Sequence, residues 1–324
     1  MIEEIADSFF RMEIPLPKNP LRSLNSYVIK SKDRHLIIDT GFNLPECFDA
    51  MKEGLKRLDV RLEESDFFIT HLHSDHAGLV TRLITDTSRV YFNQTDAEFL
   101  TNLNVQKELN SFIQMSGLPD EVVDTMIKMR SQYRSDIGAW LGRVIFVKEG
   151  DTIDVGDYTF RAIVTPGHTM GHTCLYEPER KFLIAGDHIL YSITPNITSW
   201  TDSENRLKEY LLSLDKVYDM DVDLILPGHR SVFTDLKGRI DELKRHHEKR
   251  ASDVEAILEE GVLNVAQVAS KMKWEIKCDS WDAFPIAQKW FATGEAMAHL
   301  RYLEDAGRIT REKSNGKRLY SLAS

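Results

Sequence analysis

Cysteine is scarce in this chain. The three cysteines, Cys47, Cys174 and Cys278, are spread over 324 residues. An odd number at such wide spacing argues against a disulfide framework and agrees with a reducing compartment. The sequence also lacks any apolar run near the roughly 18 residues that a membrane span requires. Its first residues are acidic where a signal peptide would be basic. We therefore expect a cytoplasmic protein with no membrane partner.

Positive charge is also in short supply, and the deficit is uneven. The formal net charge is −10, while residues 241–324 carry 14 basic and 14 acidic side chains. Residues 1–240 therefore hold the whole excess of acidic groups. An acidic domain repels polyanions, which weighs against nucleic acid as the substrate. The composition of 42% hydrophobic and 28% charged residues suits a globular protein with one large domain and a small accessory one.

Histidine is uncommon too, which makes one cluster stand out. Of 11 histidines, three lie with an aspartate inside six residues, as His71, His73, Asp75 and His76. The cluster follows the strand-like run Asp66-Phe67-Phe68-Ile69. Neutral imidazole and carboxylate are the usual protein ligands of divalent transition metals, and crowded imidazoles are costly without a cation. The pattern predicts a metal site on a loop after a strand.

Further residues suited to a metal follow later strands. His168 stands in Thr165-Pro166-Gly167-His168, Asp187 in Gly186-Asp187-His188, and His229 in Pro227-Gly228-His229. Each follows an apolar run with the β pattern. Several of these strands thus end in a residue suited to a metal.

Together these elements, in this order and spacing, resemble the metallo-β-lactamase superfamily over about residues 10–240. The resemblance implies an α+β fold, a four-layer αββα sandwich that holds two metals along one edge. It also implies a ligand assignment: His71, His73 and His168 for the first metal, Asp75, His76 and His229 for the second, and Asp187 bridging both. Zinc is the default, with iron and manganese as alternatives. A water shared by the two ions would ionise near neutral pH and act as the nucleophile, so Asp75 and Asp187 count as catalytic as well as ligating.

Several neighbouring residues have less certain roles. Asp39 matches a position where the family has an aspartate that orients ligands. His172 is expected to be structural, because a fourth imidazole would block the substrate. His188 follows the bridging aspartate and is a candidate for substrate contact, although its side chain would point away from the metals. Tyr191 is one place later than the tyrosine that stabilises an oxyanion in lactonases of the superfamily, so its alternatives are a catalytic role and simple packing.

The predicted catalytic domain, residues 1–240, contains a helical insertion at about 95–141. Apolar residues recur there at helical spacing, with a break at Gly117-Leu118-Pro119-Asp120. The insertion is interpreted either as a cap whose methionine and phenylalanine side chains form a substrate wall, or as ordinary helical packing.

Residues 241–254 are predicted to form a connecting helix, and residues 255–324 a winged-helix-like domain whose hairpin turns on Asn315-Gly316. A similar appendage occurs in a branch of the superfamily that includes β-lactamase-like endoribonucleases. The hairpin is basic, but the module is neutral overall, and Glu295, Glu304 and Asp305 lie on the helix that would read DNA. This favours an architectural or homodimer-forming role over nucleic-acid binding.

The sequence therefore predicts a dinuclear metal-dependent hydrolase acting on a small ester, thioester or lactone. One alternative is an RNA phosphodiesterase with the same metals. The other is a nucleic-acid-binding regulator whose metal domain senses a ligand. Basic grooves leading to the metals would favour the phosphodiesterase, and sequence-specific duplex binding by residues 255–324 would favour the regulator.

Overall fold

The computed structural model describes residues 1–276, 278–314 and 316–323, and for residues 130–139 it describes the backbone only. Asn315, half of the predicted hairpin turn, lies outside the described residues. Among those that are described, no helix combines the length and the apolarity needed to cross a bilayer.

The first sheet has seven strands in sequence order. They are β1 (Ile2–Ala6), β2 (Phe9–Pro15), β3 (Ser23–Ile29), β4 (His35–Ile38), β5 (Ser65–Phe68), β6 (Val90–Asn93) and β7 (Val144–Val147). Strands β1 to β4 form an antiparallel meander, whereas β4, β5, β6 and β7 run parallel. The carboxyl ends of parallel strands meet at one edge, so residues after β4, β5 and β6 are brought together there.

The second sheet has five strands and the order β12-β11-β10-β9-β8. They are β8 (Thr152–Val155), β9 (Tyr158–Val164), β10 (Thr173–Glu177), β11 (Phe182–Gly186) and β12 (Leu224–Pro227). The β9–β10 and β10–β11 pairs are antiparallel and β11–β12 is parallel. The ends of β9, β11 and β12 therefore share an edge, and these are the strands that precede His168, Asp187 and His229.

The two sheets pack face to face, with helices outside each. Phe9, Tyr27 and Phe68 of the first sheet share one buried cluster with Phe160 and Leu226 of the second. The Tyr27 hydroxyl also donates to the Pro227 carbonyl oxygen at 2.8 Å. Full burial of such a side chain contributes about 1.5–3 kcal/mol. The predicted four-layer αββα sandwich is confirmed.

Helices cover the outer face of each sheet. The helices before the insertion are α1 (Pro45–Arg57), α2 (Ser74–Ala77) and α3 (Val80–Leu83). Helix α1 begins with proline in its first turn and ends with Lys56 and Arg57, which suit the helix dipole. Its buried face includes Cys47, Met51 and Leu55, whereas Phe48 is only partly buried.

A buried aspartate paired with two partly exposed arginines ties the first sheet together. Asp66 on β5 accepts hydrogen bonds from the Arg34 Nη2 at 2.8 Å and from the Arg89 Nε at 2.8 Å. Burial by itself would raise the pKa of Asp66, but the hydrogen bonds from both guanidinium groups outweigh burial and hold that pKa below its usual value.

The insertion forms three helices, α4 (Gln94–Thr101), α5 (Leu103–Gln114) and α6 (Asp120–Leu141). Asn93 and Asn102 cap the first two, because their side chains accept hydrogen bonds from backbone N–H groups. Leu109, Ile113 and Met126 lie in a buried cluster with Trp200 and Trp290. Most of the apolar side chains predicted as a substrate wall therefore serve packing instead.

The described part of residues 255–324, which we call the tail, contains helices and paired strands. The two further helices of the catalytic region and the tail elements are α7 (Arg206–Tyr218), α8 (Leu236–Leu258), β13 (Leu263–Asn264), α9 (Val265–Lys271), α10 (Ile286–Asp305), β14 (Ile309–Ser314) and β15 (Lys317–Leu322). The single helix α8 includes the predicted connecting helix and begins before residue 240. Its first half packs on the second sheet, and its second half forms the core of the tail. The domain boundaries and the winged-helix class stay predictions.

Candidate metal centre

The histidine-rich motif lies directly after β5, at the edge where the parallel strands end. His71 follows the strand by three residues, and Asp75 and His76 lie on the single turn of α2. The His71 and His76 side chains are fully buried. Local chain geometry thus brings three imidazoles and a carboxylate to one end of the strand.

One trio of histidines forms where the two sheets meet. The Nε2 of His71 is 3.0 Å from the Nδ1 of His73 and 3.2 Å from the Nε2 of His168. Two ligand nitrogens on one tetrahedral ion at about 2.0–2.1 Å lie about 3.3 Å apart. These three side chains lie close enough together to hold one cation.

A second trio lies beside the first. The Nε2 of His229 is 3.3 Å from the Nε2 of His76 and 3.3 Å from the Oδ2 of Asp75. The His76 Nε2 is 4.0 Å from the same carboxylate oxygen. The three ligand atoms could hold a second cation.

Asp187 faces both trios with one carboxylate oxygen each. Its Oδ1 is 3.5 Å from the Nε2 atoms of His76 and His229, and its Oδ2 is 3.6 Å from the Nε2 of His168. The Oδ1 atom is buried and has no hydrogen-bond partner among the described residues. A buried, unpartnered carboxylate oxygen is costly unless a cation compensates it. The donor set and this atom fit two divalent ions with Asp187 between them.

Asp39, the residue after β4, orients two of the histidine rings through hydrogen bonds to His76 and Thr70. Its Oδ2 lies 2.7 Å from the Nδ1 of His76 and accepts from the Thr70 hydroxyl at 2.8 Å. The Thr70 hydroxyl in turn lies 3.0 Å from the Nδ1 of His71. Because the Nδ1 atoms donate to these acceptors, both rings present the lone pair of Nε2 to the centre. The position matches the role predicted for Asp39.

Backbone carbonyls fix two more rings. The Nδ1 of His168 is 2.9 Å from the Asn196 carbonyl oxygen, and the Nδ1 of His229 is 2.8 Å from the Ser23 carbonyl oxygen. Each contact crosses a long stretch of sequence. Both rings are therefore held with Nε2 facing the ligand cluster.

His172 is structural, as expected. Its Nδ1 is 2.8 Å from the Thr165 hydroxyl, and its Nε2 accepts the backbone N–H of Asp187 at 3.1 Å. The ring thereby holds the segment that carries the bridging carboxylate. Burial, together with neighbouring imidazoles, lowers the pKa of His172 well below its usual value.

Asp96 is an organising residue that the sequence did not indicate. Its carboxylate accepts from the Leu72 N–H at 2.9 Å, the Thr169 hydroxyl at 2.7 Å and the Gly171 N–H at 2.7 Å. It therefore joins the motif loop to the His168 loop. Burial raises its pKa to about 6 despite these bonds. An acidic residue in the first turn of a helix carries no sequence signal for such a role.

The glycine before His229 allows the closest approach in the site. A Cβ at Gly228 would lie 2.7 Å from the Oδ1 of Asp187 and 2.7 Å from the Cε1 of His76. Real Cβ atoms do not approach neighbours so closely. The Pro-Gly-His sequence is thus required by packing against the ligands themselves.

The protonation tendencies differ between the two trios. Burial, then repulsion among the imidazoles, lowers the pKa of His71 well below its usual value and that of His73 to about 3. Burial would also lower the pKa of His76, but Asp39 and Asp187 outweigh it and raise that pKa. Burial would raise the pKa of Asp187, whereas His229 and His76 hold it low. The first trio thus has neutral imidazoles to offer a cation, whereas the carboxylates around His76 favour the charged form of its ring.

Two residues predicted as catalytic lie away from the cluster. The His188 ring is fully buried and packs against Tyr210, with ring centroids 5.4 Å apart. The buried ring exposes no surface to a substrate, and the catalytic role of His188 stays a prediction. Tyr191 is half-exposed and its ring contacts Phe233 at 5.4 Å. Within the described part of the chain, no hydrogen bond or ring contact joins it to the seven ligand side chains.

The fold and the site define a class of protein, the two-sheet αββα sandwiches with clustered histidine and aspartate side chains along one edge that could hold metal ions. Comparison with known proteins makes this specific. The family model of the metallo-beta-lactamase superfamily matches residues 20–229, and that of the metallo-beta-lactamase-like C-terminal domain matches residues 282–321. The chain belongs to the metallo-β-lactamase superfamily of hydrolases, as its motifs predicted.

Similar proteins come from distant organisms. A "beta-lactamase-like protein 2 homolog" of Caenorhabditis elegans is 26% identical over 80% of this chain and 74% of its own length. A "probable metallo-hydrolase" of Bacillus subtilis is 25% identical over 88% of each chain. An "atrochrysone carboxyl ACP thioesterase" of Aspergillus novofumigatus is 28% identical over 74% of this chain, which spans only 59% of that protein.

Solved structures match almost the whole chain. A metallo-beta-lactamase family protein from Thermus thermophilus has a TM-score of 0.81 at 25% identity, covering 98% of this chain and 99% of its own. A beta-lactamase domain protein from Burkholderia ambifaria has a TM-score of 0.84 at 26% identity, covering 99% of this chain and 94% of its own. The likeness extends through the tail.

Proposed function

We propose that the protein is a dinuclear metal-dependent hydrolase of small carboxylic esters, thioesters or lactones, with thioesters the leading class. The observation that carries the proposal is the Asp187 carboxylate, which presents one oxygen to each of two ligand trios. A shared carboxylate between two ligand sets is the arrangement that two neighbouring ions require.

Some residues of the site would bind the metal ions, and others orient the side chains that bind them. His71, His73 and His168 would hold one ion, Asp75, His76 and His229 the other, and Asp187 both. When bound, two divalent ions would supply Lewis-acid activation of water and of the substrate carbonyl. Asp39 and Thr70 keep the lone pairs of the ring nitrogens pointing inward. Zinc is the expected metal for this mixture of imidazoles and carboxylates.

Several observations support a small acyl substrate over RNA. A cavity of about 180 Å³ next to the His168 loop, which none of the seven proposed ligands lines, has several acidic residues in its wall and Arg206. The acidic residues are Asp96, Glu98, Glu108 and Glu204. Arg206 is paired to Glu204 at 2.8 Å. Acidic walls disfavour a polyanion. The similar Aspergillus protein named as a thioesterase supports the thioester class.

Two of the four basic side chains on the hairpin strands, Arg311 and Arg318, are already engaged by acidic partners. Arg311 and Arg318 both pair with Asp202, and Arg311 also pairs with Glu304. The Arg318 guanidinium lies over the Phe112 ring at 3.6 Å. These contacts weigh against the RNA phosphodiesterase and against the duplex-binding regulator.

A substrate panel on the zinc-loaded protein tests the proposal. It contains an acyl thioester, a lactone, an aryl ester, a phosphodiester and single-stranded RNA, assayed with wild type and Asp187→Asn. We expect ester or thioester turnover that falls at least about a thousandfold in the variant, because both ions lose their shared ligand. The matched control is Asp221→Asn, an exposed aspartate that pairs with Lys181. Hydrolysis of phosphodiesters alone would overturn the substrate assignment.

Zinc, cytoplasmic residence and homodimer formation remain predictions from the sequence. Elemental analysis, cell fractionation and light scattering test them in turn. Specific binding of duplex DNA by the full chain would favour the regulator instead.

A further inference from the structure

The connection between β11 and α7 links the metal centre to the tail. We call residues 196–202 the linking loop. At its start, the Asn196 carbonyl oxygen lies 2.9 Å from the Nδ1 of His168. That contact sets the direction of the His168 ring. The position of the linking loop therefore determines where the Nε2 of His168 points.

The tail holds the other part of the same loop. The Ser199 N–H donates to the Gly294 carbonyl oxygen of α10 at 3.0 Å. The Trp200 ring stacks on Trp290 of the same helix, with centroids 4.0 Å apart and planes at 20°. These contacts join segments that lie far apart in the sequence. The first turns of α10 are thus the surface on which the linking loop rests.

Ion pairs fasten the end of the loop. Asp202 accepts from Arg318 at 2.8 Å and pairs with Arg311, so both strands of the terminal hairpin contact it. Burial would raise the pKa of Asp202, but these two arginines outweigh burial and lower it. The carboxylate therefore remains charged and paired at neutral pH.

Gly294 allows the loop to approach the helix closely. A Cβ at this position would lie 2.8 Å from the Nε1 of Trp200 and 2.9 Å from the Cβ of Thr198. Glycine inside a helix is unfavourable compared with alanine. Its presence in the middle of α10 is explained by the space that the linking loop needs.

We propose that the C-terminal module positions the metal centre, with Gly294 and Trp290 as positioning residues that act on His168 through the linking loop. The inference rests on the proposed function, in which His168 is a ligand. If the loop shifts, the Asn196 carbonyl moves with it and the imidazole loses its fixed orientation. Loss of such an orienting partner weakens metal binding by about 10- to 100-fold. The C-terminal module thus contributes to the geometry of the metal centre.

The test is a metal titration of the full-length protein, not an activity assay. Metal-free wild type and Gly294→Ala are titrated with Co²⁺ in a competing chelator, and visible absorption reports each bound ion. We expect two ions in wild type. In Gly294→Ala, one of the two binds about tenfold more weakly with an altered spectrum, while the other is unchanged. The matched control is Gly142→Ala, where an added Cβ meets nothing within 4 Å.

The outcomes separate the two proposals. Wild-type affinity for both ions in Gly294→Ala, with an unchanged spectrum, overturns the inference, as does an equal loss in Gly142→Ala. If Gly294→Ala fails to fold, Asp202→Asn decides, because it releases the hairpin from the same loop at a partly exposed position. Weaker binding of one ion in that variant supports the inference, and unchanged binding overturns it. A wild-type protein that binds no ion contradicts the proposed function itself.

Discussion

Replacing Asp39 with asparagine is expected to change the metal centre although Asp39 is not itself a proposed ligand. Asp39 has a left-handed backbone with a φ of 56°, which asparagine tolerates better than most residues. Its Oδ1 accepts the Thr70 N–H at 2.9 Å, and its Oδ2 lies 2.7 Å from the Nδ1 of His76. The substitution therefore preserves shape and backbone while removing one acceptor oxygen.

The magnitude follows from the donors that surround the carboxylate. An amide has one acceptor oxygen, so its NH₂ group must face either the Thr70 N–H or the His76 ring N–H. A buried donor left unsatisfied costs about 1–3 kcal/mol. If His76 instead changes tautomer, its Nε2 carries the proton and cannot bind a metal. Because about 1.4 kcal/mol corresponds to tenfold in affinity, we expect one ion to bind roughly 10- to 100-fold more weakly.

Chelator-competed zinc titration of wild type and Asp39→Asn measures this effect. Asp66→Asn is the matched control, since Asp66 is a buried aspartate in the adjacent strand whose partners are arginines rather than ligand histidines. It should lose stability but keep both zinc affinities. Undiminished zinc binding in Asp39→Asn would refute the assignment of Asp39 as the orienter of His76.

The remaining predictions concern stability, close packing and the role of Tyr191. Asp66→Asn should lower the free energy of unfolding by about 2 kcal/mol at pH 7, as measured by urea denaturation. The pKa of Asp66 is lower in the folded protein than in the unfolded chain, so its contribution to stability is present above the ordinary pKa and is lost as pH falls through the folded pKa. The difference in unfolding free energy between wild type and Asp66→Asn should therefore shrink below about pH 4. A difference that does not vary with pH argues against the ion pair. Gly228→Ala should reduce kcat/KM by at least about tenfold, since the new methyl group displaces the Asp187 carboxylate, and an unaffected rate would contradict the packing argument. Tyr191→Phe should leave kcat/KM within about twofold, because the ring rests on Phe233; a large loss would support the predicted catalytic role.

The catalytic sandwich and its ligand set were largely predictable. The motif after β5 lies within six residues, so strand direction and one helical turn place its side chains. His168, Asp187 and His229 each follow a strand, and parallel or adjacent strands deliver their ends to one edge.

The roles of residues outside these motifs were not predictable in the same way. Tyr191 was considered catalytic because of its distance along the chain from Asp187, yet the chain after β11 turns its ring onto Phe233. The apolar residues of α5 and α6 have a pattern typical of either a cap or a packed core. Contact with Trp200 and Trp290 reveals that Leu109, Ile113 and Met126 belong to a packed cluster.

The sequence by itself determined which chemistry the protein carries, because ligand identity and order are properties of residues near strand ends. The tertiary structure decided what holds those ligands in place. Asp96 bridges two loops, and Gly294 supports the loop that orients His168, through contacts between segments tens of residues apart. Such contacts depend on the close packing of separate elements, which leaves no periodic or spacing signal in the chain.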